Sequence, residues 1–521
     1  MINDQLPGEA IHLYQGDRVK ILVRNNIISH STTHRGAGMG VTVHFHGIRQ
    51  INSVQADGVP YLTQHIIPPG CSFLYEFDVP DQVGTFFYHA HVGMQEMSIF
   101  GPIIIYKSRR SDPSKYRILK DGPFSYHGEH TVMLSEWWHA DRGQSEAYYL
   151  GSNFTEITEA HSILINGQGI YDPNIDLVAE CKGYTILPVE PGKIYRFRVI
   201  GATVFRTLGF GIANHTMTVI EVDGDYIKPY DVDYLEVSPD YGISIVRRWA
   251  VGVPSSTNGH TIMRYQTNAS SFVPWEYDFS TGNSIGTRAL SPALYQPTFP
   301  ANNTIHWYWD KLHPYYGVDP IVNLKPNRTI ILRSSEKETK GKTRWYINDV
   351  SFVEREDQVI LHDILKKTRP LPDIKNRDQN GFDFHLGTYP LEHLEIIDIV
   401  VQTTHPVDKP CRSHPWHTHG HSHWEIAHGQ GEYVEERDGR TRNIRYPIFK
   451  DLTLVYPTAD ETEYRTKDQK VIGCGWSKLR IIAARIWAMH CHNTPHMYMG
   501  MMLALEESPQ LIQSRIKTLT E

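Results

Sequence analysis

The amino-acid sequence predicts an all-β protein of packed antiparallel sheets, arranged as sandwiches or barrels. Three features support this prediction. Short segments of alternating apolar and polar residues recur, 39 glycines and 31 prolines supply turns at short intervals, and long amphipathic helical patterns are hard to find. The strand-like segments span residues 19–23, 72–79, 103–106, 194–199, 217–222, 243–251 and 329–333.

Each segment is identified by its pattern and by a turn residue beside it. Segment 72–79 reads Ser-Phe-Leu-Tyr-Glu-Phe-Asp-Val, and segment 194–199 alternates aromatic side chains with arginines. Such alternation is typical of a strand with one buried face. In chain order, the turn residues that bound the segments are Asp17, Pro80, Pro102, Gly192, Gly224, Gly242 and Asn327.

The chain is long enough for several domains. It has 521 residues, and domains of ~100 to 200 residues would give three or four of them. Polar stretches at 107–120 and 283–303 look like seams between domains. We therefore expect three β domains, over residues 1–110, 111–300 and 301–521.

Composition and charge exclude several classes of protein. Hydrophobic residues make up 40% and charged residues 21% of the chain, and its mean hydropathy is −0.40, values typical of soluble globular proteins. No apolar run approaches the ~20 residues that a membrane-spanning helix needs. With 51 Lys and Arg against 58 Asp and Glu, the chain lacks the basic surplus of a nucleic-acid binder.

Potential glycosylation sites point to a secretory route. Five N-x-[ST] sequons would suit a secreted, extracellular glycoprotein, although a chain rich in Asn, Ser and Thr also produces sequons by accident. The five sequons begin at Asn153, Asn214, Asn268, Asn302 and Asn327.

Histidine is the residue in surplus, and its spacing predicts metal binding. With 29 histidines in 521 residues, chance would place about two His-x-His pairs in the chain, whereas it contains six. Alternate side chains of a strand share a face, so each pair directs two imidazoles at one point. The informative segments are His44-Phe45-His46-Gly47, His89-Ala90-His91, His414-Pro415-Trp416-His417-Thr418-His419, and His490-Cys491-His492 with the following His496 and Met501.

The last of these segments predicts an electron-transfer copper. Because Cys491 points away from its two flanking histidines, one strand can hold ligands for two separate metal centres. One thiolate, two imidazoles and a distant thioether are the ligands of such a copper, and His414, Cys491, His496 and Met501 would supply them. The eight remaining imidazoles suit a three-copper cluster that reduces dioxygen.

All four segments, in this order, closely resemble the copper-binding segments of the multicopper oxidases. Those segments read H-x-H-G, H-x-H, H-P-x-H-x-H-G-H and H-C-H-x3-H-x4-M, and the resemblance extends over nearly the whole chain. It implies three cupredoxin-like domains and four copper ions: one type 1, one type 2 and a type 3 pair. It also implies oxidation of a small donor coupled to four-electron reduction of dioxygen to water.

The resemblance assigns a metal to each ligand. The type 1 ligands would be His414, Cys491 and His496, with Met501 axial, and the type 2 ligands would be His44 and His417. One type 3 copper would be held by His46, His89 and His492, and the other by His91, His419 and His490. The cluster would lie between the first and third domains and help to fasten them together.

Within the family, segments 88–95 and 345–351 look most like ascorbate oxidases, with laccases as near neighbours. An axial Met501 lowers the type 1 potential relative to Leu or Phe, which suits ascorbate, catechols and electron-rich phenols as donors. We expect Cys491 and His496 to carry the electron.

This sequence also departs from the family pattern. The tryptophan that ascorbate oxidases place in the middle domain has no match in segment 156–161, and the usual Asn-Pro-Gly turn is missing around Ala484 and Arg485. Many relatives carry a carboxylate at the position of Thr494 that helps to move protons. That role would then rest on Asp57 alone, unless Asp57 serves only the turn with Gly58.

Two other functions remain open. A ferroxidase would need acidic side chains beside His414 or His496, and the candidates downstream are Glu425, Glu432, Glu435 and Glu436. A copper-binding or zinc-holding protein without turnover is the third possibility.

Several other residues are expected to be structural. We assign this role to His421, His423 and His428 and to the core aromatics Trp137, Trp138 and Trp424, whereas Trp345 is equally suited to core packing and to substrate contact. Apart from Cys491, four cysteines allow three pairings in an oxidising compartment: Cys71, Cys181, Cys411 and Cys474. We expect Cys411 to pair with Cys474, since both lie in the third domain; a reduced thiol is the alternative for any of the four.

Overall fold

The structure, a computed structural model, confirms the all-β prediction. It describes residues 1–27, 39–169, 171, 183–237, 246–247, 259–265, 298–300, 304–406, 409–458, 463–465, 470–483 and 486–516. Within these residues the longest helix has only nine residues. No helix in the described part of the chain has the length and apolar character needed to cross a membrane.

The first third of the chain forms two sheets around a shared apolar core. Its strands are β1 (Ile11–Tyr14), β2 (Arg18–Arg24), β3 (Val43–His46), β4 (Ser72–Asp78), β5 (Gly84–Ala90) and β6 (Phe100–Tyr106). One sheet has the order β1-β6-β5-β3, and the other pairs β2 with β4. On β4, Tyr75 and Phe77 point into the core between the sheets, as the alternation predicts.

The middle third is also built from strands, in small sheets. They are β7 (Leu119–Asp121), β8 (Phe124–Tyr126), β9 (Gly128–Trp137), β10 (Ser162–Ile165), β11 (Ile186–Val189), β12 (Tyr195–Ala202), β13 (Leu208–Phe210), β14 (Met217–Val222), β15 (Asp225–Val232), β16 (Leu235–Val237), β17 (Val246–Arg247) and β18 (Ile262–Tyr265). Strand β9 lies between β10 and β12. Helix α1 (Arg142–Leu150) begins after Asp141, whose carboxylate accepts a hydrogen bond from the Gln144 N–H.

The last third holds the two largest sheets. Its strands are β19 (Arg328–Thr339), β20 (Lys342–Ile347), β21 (Tyr389–Leu391), β22 (Ile396–Pro406), β23 (His414–Thr418), β24 (His423–Gly429), β25 (Phe449–Lys450), β26 (Leu452–Val455), β27 (Glu463–Arg465), β28 (Lys470–Ile482), β29 (Ile486–Cys491) and β30 (Met502–Glu507). Seven strands form one sheet, and β21-β30-β29-β23-β26 form the other. Side chains from both sheets share one core. The helices are α2 (Ile360–Lys366), α3 (Glu435–Asp438), α4 (Thr494–Tyr498) and α5 (Pro509–Ile516).

The sheets are mixed, whereas the sequence pattern suggested antiparallel sheets. Strand β1 pairs with β6 in parallel, and so do β9 with β12 and β19 with β22. Each of these pairs is joined by a long connection that returns the chain in the same direction. Alternation of residue types identifies a strand but not its direction. Of the expected strand 243–251, only β17 lies within the described residues.

Two strand pairs bring the histidine segments next to each other. In the register of β3 and β5, His44 lies opposite His89. In the register of β23 and β29, His417 lies opposite His490. All residues of β3, β23 and β29 are buried. The imidazoles on these strands are therefore shielded from water and must find polar partners inside the protein.

Candidate metal centre

The ten predicted imidazole ligands converge in the interior of the protein. Each is at most 2% exposed. Within three separate groups, the potential ligand atoms lie within 4.8 Å of one another. The groups are His46, His89 and His492; His91, His419 and His490; and His414, Cys491 and His496.

Imidazoles from the first and last thirds of the chain stack directly on each other. The ring centroids of His44 and His419 are 3.8 Å apart, and those of His46 and His417 are 3.7 Å apart. His44, His46 and His417 also form a group of close ligand atoms. The cluster therefore lies at the contact between β3, β5, β23 and β29, and both ends of the chain contribute to it.

Backbone carbonyls orient several of these rings. His44 Nδ1 lies 2.7 Å from the Asp57 carbonyl oxygen, and His417 Nδ1 lies 2.9 Å from that of Asp451. His89 Nδ1 lies 3.0 Å from the Ala90 carbonyl oxygen, and His490 Nδ1 lies 3.1 Å from that of Cys491. A carbonyl only accepts hydrogen bonds, so in these four rings Nδ1 carries the proton. The Nε2 lone pair can then face a metal, as in metal-binding histidines generally; in His490 it lies 3.0 Å from His419 Nε2.

Asp57 is a buried carboxylate that contacts two of the imidazoles. Its Oδ2 lies 3.0 Å from His419 Nδ1, and its Oδ1 lies 3.3 Å from His44 Nδ1. Burial raises the pKa of Asp57. The following Gly58 has φ +85°, and a Cβ there would lie 1.9 Å from the Val43 carbonyl oxygen. Both features considered for Asp57, the turn with Gly58 and a contact with imidazoles, are therefore present.

The third group surrounds Cys491. Its Sγ lies 3.4 Å from His414 Nδ1 and 3.7 Å from His496 Nδ1. Met501 is fully buried in the same core, and its carbonyl accepts a hydrogen bond from the Cys491 N–H. The neighbours His490 and His492 belong to the other two groups, so the predicted alternation along β29 is present.

Burial keeps the donors of the site in forms that suit a soft metal. Desolvation is the main cause that lowers the pKa of His490 to about 3 and the pKa values of His414 and His496 well below the ordinary value. These imidazoles are neutral and keep a lone pair. Burial also raises the pKa of Cys491, so a bound cation is needed to hold the thiolate. Imidazole and thiolate donors together fit copper.

Trp345 packs against the Cys491 group rather than lining an open surface. It is 1% exposed, and its ring centroid lies 5.0 Å from His414 and 4.5 Å from His496. Of the two roles expected for Trp345, this position fits core packing.

The residues expected to be structural have partners outside the three groups. His421 contacts the Glu507 carboxylate at 2.9 Å, His423 contacts Thr453 at 2.8 Å, and His428 stacks on His306. Trp138 and Trp424 are buried in apolar clusters, whereas Trp137 is only half-buried.

The expected disulfide is present. It joins Cys411 to Cys474, with a Cα–Cα distance of 5.4 Å, and Cys71 is a free, exposed thiol. Cys181, Ala484 and Arg485 lie outside the described residues.

Glu96 is a residue of the site that the sequence reasoning missed. Its Oε1 lies 3.5 Å from His89 Nδ1 and 3.9 Å from His492 Nδ1, and its Oε2 accepts a 2.6 Å hydrogen bond from Thr494. Burial raises the pKa of Glu96 to about 8. The sequence signal that could have identified Glu96 was its position, since it is a charged residue only five positions after His91, the second histidine of the His89-Ala90-His91 pair.

Comparison with known proteins gives one consistent result. Three family models described as multicopper oxidase match residues 1–110, 128–245 and 356–511. The L-ascorbate oxidase of Nicotiana tabacum is 30% identical over 98% of this chain and 87% of its own length. Laccase-like multicopper oxidase 1 of Thermothelomyces thermophilus is 27% identical over 96% of this chain and 82% of its own.

Solved structures show the same fold. The laccase from Botrytis aclada superposes with a TM-score of 0.70 at 23% identity, over 97% of this chain and 83% of that one. Fet3p, a multicopper oxidase that functions in iron import, superposes with a TM-score of 0.69 at 23% identity, over 98% of this chain and 87% of that one. These two likenesses establish the fold only. The family matches, which together cover more than half of the chain, and the tobacco relative, which covers 98% of it, show that this protein belongs to the multicopper oxidase family, whose metal is copper.

Proposed function

We propose that this protein is an oxidase of the ascorbate oxidase or laccase type. It takes single electrons from a small ene-diol or phenolic donor and uses four of them, with four protons, to reduce dioxygen to two waters. The observation that carries the proposal is the position of Cys491. It lies in one group of ligands, while its chain neighbours His490 and His492 lie in the two others.

The proposed metal content is four copper ions. His414, Cys491 and His496 hold a type 1 copper, with Met501 as its axial ligand, and His44 and His417 hold a type 2 copper. His46, His89 and His492 hold one type 3 copper, and His91, His419 and His490 hold the other. Support comes from the three groups of ligand atoms, which match the type 1 set and both type 3 sets.

The protein groups have distinct roles in this proposal. Bound copper supplies the one-electron chemistry that organic side chains lack. His496 is the residue through which the donor's electron enters, and Cys491 passes it along covalent bonds to His490 and His492. Asp57, which contacts His44 and His419, orients both rings and relays protons to the cluster.

The domain division is part of the same proposal. Cupredoxin-like domains span residues 1–110, 111–300 and 301–521, and the middle one carries no copper and acts as a spacer or substrate wall. The separate cores of the first and middle thirds support this division. The expected seam at 283–303 falls almost wholly outside the described residues.

We further propose that the protein is a secreted glycoprotein. Of the five sequons, Asn153, Asn214 and Asn327 are exposed, and the disulfide between Cys411 and Cys474 suits an oxidising compartment. Asn268 and Asn302 lie outside the described residues. Peptide mass mapping before and after glycosidase treatment tests this, since unmodified asparagines at all three exposed sites would contradict it.

Oxygen uptake with a donor panel tests the proposed activity. Ascorbate, a methoxyphenol and Fe(II) are compared at one pH, with peroxide measured in parallel. We expect uptake of one dioxygen per four donor electrons without peroxide, and faster turnover with the organic donors. A strong preference for Fe(II) would favour a ferroxidase, although the candidate acid Glu425 binds Lys450 and Ser477.

Metal analysis separates an oxidase from a binding protein. Four coppers per chain together with oxygen uptake are expected. Zinc at one or two atoms per chain, or copper without uptake for any donor, would overturn the proposed function.

A further inference from the structure

Three pairs of histidines outside the proposed copper ligands have their rings in contact within the described part of the chain. Imidazole is the commonest side-chain ligand of transition metals in proteins, so each pair is a candidate for a further metal site. The pairs are His65 with His362, His139 with His161, and His306 with His428.

Imidazoles assigned to the same copper keep a narrow range of separation. Their ring centroids lie between 4.8 and 5.9 Å apart, whereas the stacked rings of His44 and His419, 3.8 Å apart, are assigned to different coppers. The rings of His306 and His428 are stacked in the same way, with centroids 3.9 Å apart. This pair is therefore unsuited to share one ion.

His139 and His161 have a suitable separation of 5.4 Å, but one of their ring nitrogens is already in use. The His139 backbone N–H donates a 3.1 Å hydrogen bond to His161 Nδ1. A neutral imidazole has one lone pair on its two nitrogens, and here that lone pair accepts the hydrogen bond. His161 is therefore not available as a metal ligand.

His65 and His362 meet both conditions. Their ring centroids are 5.5 Å apart, with an angle of 66° between the planes, and no hydrogen bond within the described residues involves the ring nitrogens of either. His65 is exposed and His362 is half-buried, so a hydrated ion reaches both rings from solvent. The charged residues nearest to His362 along its helix, Asp363 and Lys366, offset each other.

The backbone holds the two side chains at this separation. The N–H groups of Ile360 and Leu361 donate hydrogen bonds to the carbonyls of Tyr61 and Leu62, at 3.1 and 2.9 Å. Leu62 and Leu361 are each 1% exposed and belong to the same apolar cluster. The loop of residues 59–65 and helix α2 are therefore fixed against each other, and an ion that binds both histidines need not first order the backbone.

The two histidines come from distant parts of the chain. His65 belongs to the first third, and His362 lies on helix α2 of the last third. The loop of residues 59–65 directly follows Asp57 and Gly58, and Asp57 contacts imidazoles from both thirds. An ion between His65 and His362 would therefore connect the same two thirds that supply the buried cluster.

We propose that His65 and His362 together bind one divalent transition-metal ion of the zinc or copper(II) type at the surface contact between the first and last thirds. Two imidazoles supply half of a tetrahedral set of ligands, and water completes it. The ion stabilises the folded protein, because the unfolded chain does not hold the two rings together. The site is separate from the proposed four coppers and does not depend on the proposed oxidase function.

The test uses zinc chloride as the probe, because Zn(II) is colourless and has no redox chemistry. It is titrated by calorimetry, at neutral pH, into the copper-loaded natural protein, His65→Gln and His362→Gln. His393→Gln is the control, because it removes an exposed histidine elsewhere in the last third. The blue absorption and the melting temperature without zinc check that each variant is folded and loaded with copper.

We expect the natural protein to bind one zinc ion that each single variant binds at least about tenfold more weakly, since even the loss of a group behind a metal ligand costs ~10- to 100-fold in affinity. The melting temperature of the natural protein and of His393→Gln should rise with the zinc concentration, and that of the two other variants should not. Absence of zinc binding by the natural protein, an unchanged affinity in both His65→Gln and His362→Gln, or an equal loss in His393→Gln would overturn the inference. Oxygen uptake by the same samples tests the proposed function separately.

Discussion

Thr494 donates a 2.6 Å hydrogen bond to Glu96, a residue 398 positions away in the chain. Both side chains are buried, and the other Glu96 oxygen lies 3.5 Å from His89 Nδ1. The resemblance to multicopper oxidases implies a carboxylate at position 494, which would help to move protons. Here the threonine at that position holds a carboxyl group supplied by the opposite end of the chain, so Asp57 is not the only buried acid beside the imidazoles.

We expect Glu96→Gln to lower kcat by about 10²-fold for every donor, with the KM for the donor unchanged. Glutamine keeps the shape and accepts the Thr494 hydrogen bond, but its amide does not supply a proton to dioxygen. Steady-state oxygen uptake with ascorbate and with a phenol measures the effect.

The matched control for Glu96→Gln is Thr494→Val, which keeps the carboxyl group and removes its hydrogen-bond donor. It should reduce the free energy of unfolding by about 1 to 3 kcal/mol and lower kcat less than Glu96→Gln does. A loss of kcat that differs between donors would indicate that Glu96 acts where the donor's electron enters instead of at the cluster.

The period of a β-strand explains why the grouping of these histidines around Cys491 could be predicted without a structure. His490, near the end of β29, and His492, just after it, share one side and Cys491 faces the other, and this follows from alternation alone. The same rule holds for His44 and His46 on β3. Spacing within one strand is a local property, so the sequence contains it.

Contacts between distant segments could not be predicted in this way. The hydrogen bond from Thr494 to Glu96 and the stacking of His44 on His419 both join parts of the chain that only the tertiary fold brings together. The parallel pairing of β19 with β22 likewise depends on how a long connection returns. No periodicity in the residues specifies any of these.

Cys491→Ser should abolish the intense blue absorption and stop turnover with every donor. The hydroxyl is nearly isosteric with the thiol, but it lacks the soft sulfur that holds an electron-transfer copper. Visible absorption and oxygen uptake are the measurements. Cys71→Ser, a change at an exposed free thiol, is the control and should leave both unaltered; a blue and active Cys491→Ser variant would refute the ligand assignment.

Met501→Leu should raise the reduction potential of the type 1 copper while the blue colour remains. The thioether is an electron donor to the oxidised metal, and its removal favours the reduced form. The substitution nearly conserves volume, so we expect it to cost less than ~1.5 kcal/mol of stability. A redox titration of the blue band measures the potential. Met133→Leu, a buried change on β9, should leave it unchanged, and an unaltered potential in Met501→Leu would argue against axial ligation.

The metal-free protein should lose stability as the pH falls below ~6.5. Burial lowers the folded-state pKa of His490 to about 3 and the pKa values of His89 and His417 well below the ordinary value. In the unfolded chain, imidazoles titrate near ~6.5. Below that pH the unfolded state binds protons that the folded state does not, so each such imidazole removes up to about 1.4 kcal/mol per pH unit.

Glu96 acts in the opposite direction on the same pH dependence. Its folded-state pKa is raised to about 8, so it stabilises the folded state fully at low pH, and this contribution is lost as the pH rises through ~4.5 to 8. Asp57, Asp225 and Glu354 also have raised pKa values and act in the same direction as Glu96. These carboxyl groups are fewer than the imidazoles with lowered pKa values, so the net slope still favours higher pH. Urea unfolding of the metal-free protein at several pH values measures it, and Glu96→Gln should steepen the slope. A free energy of unfolding that stays constant between about pH 5 and pH 7 would contradict neutral, buried imidazoles in the folded state.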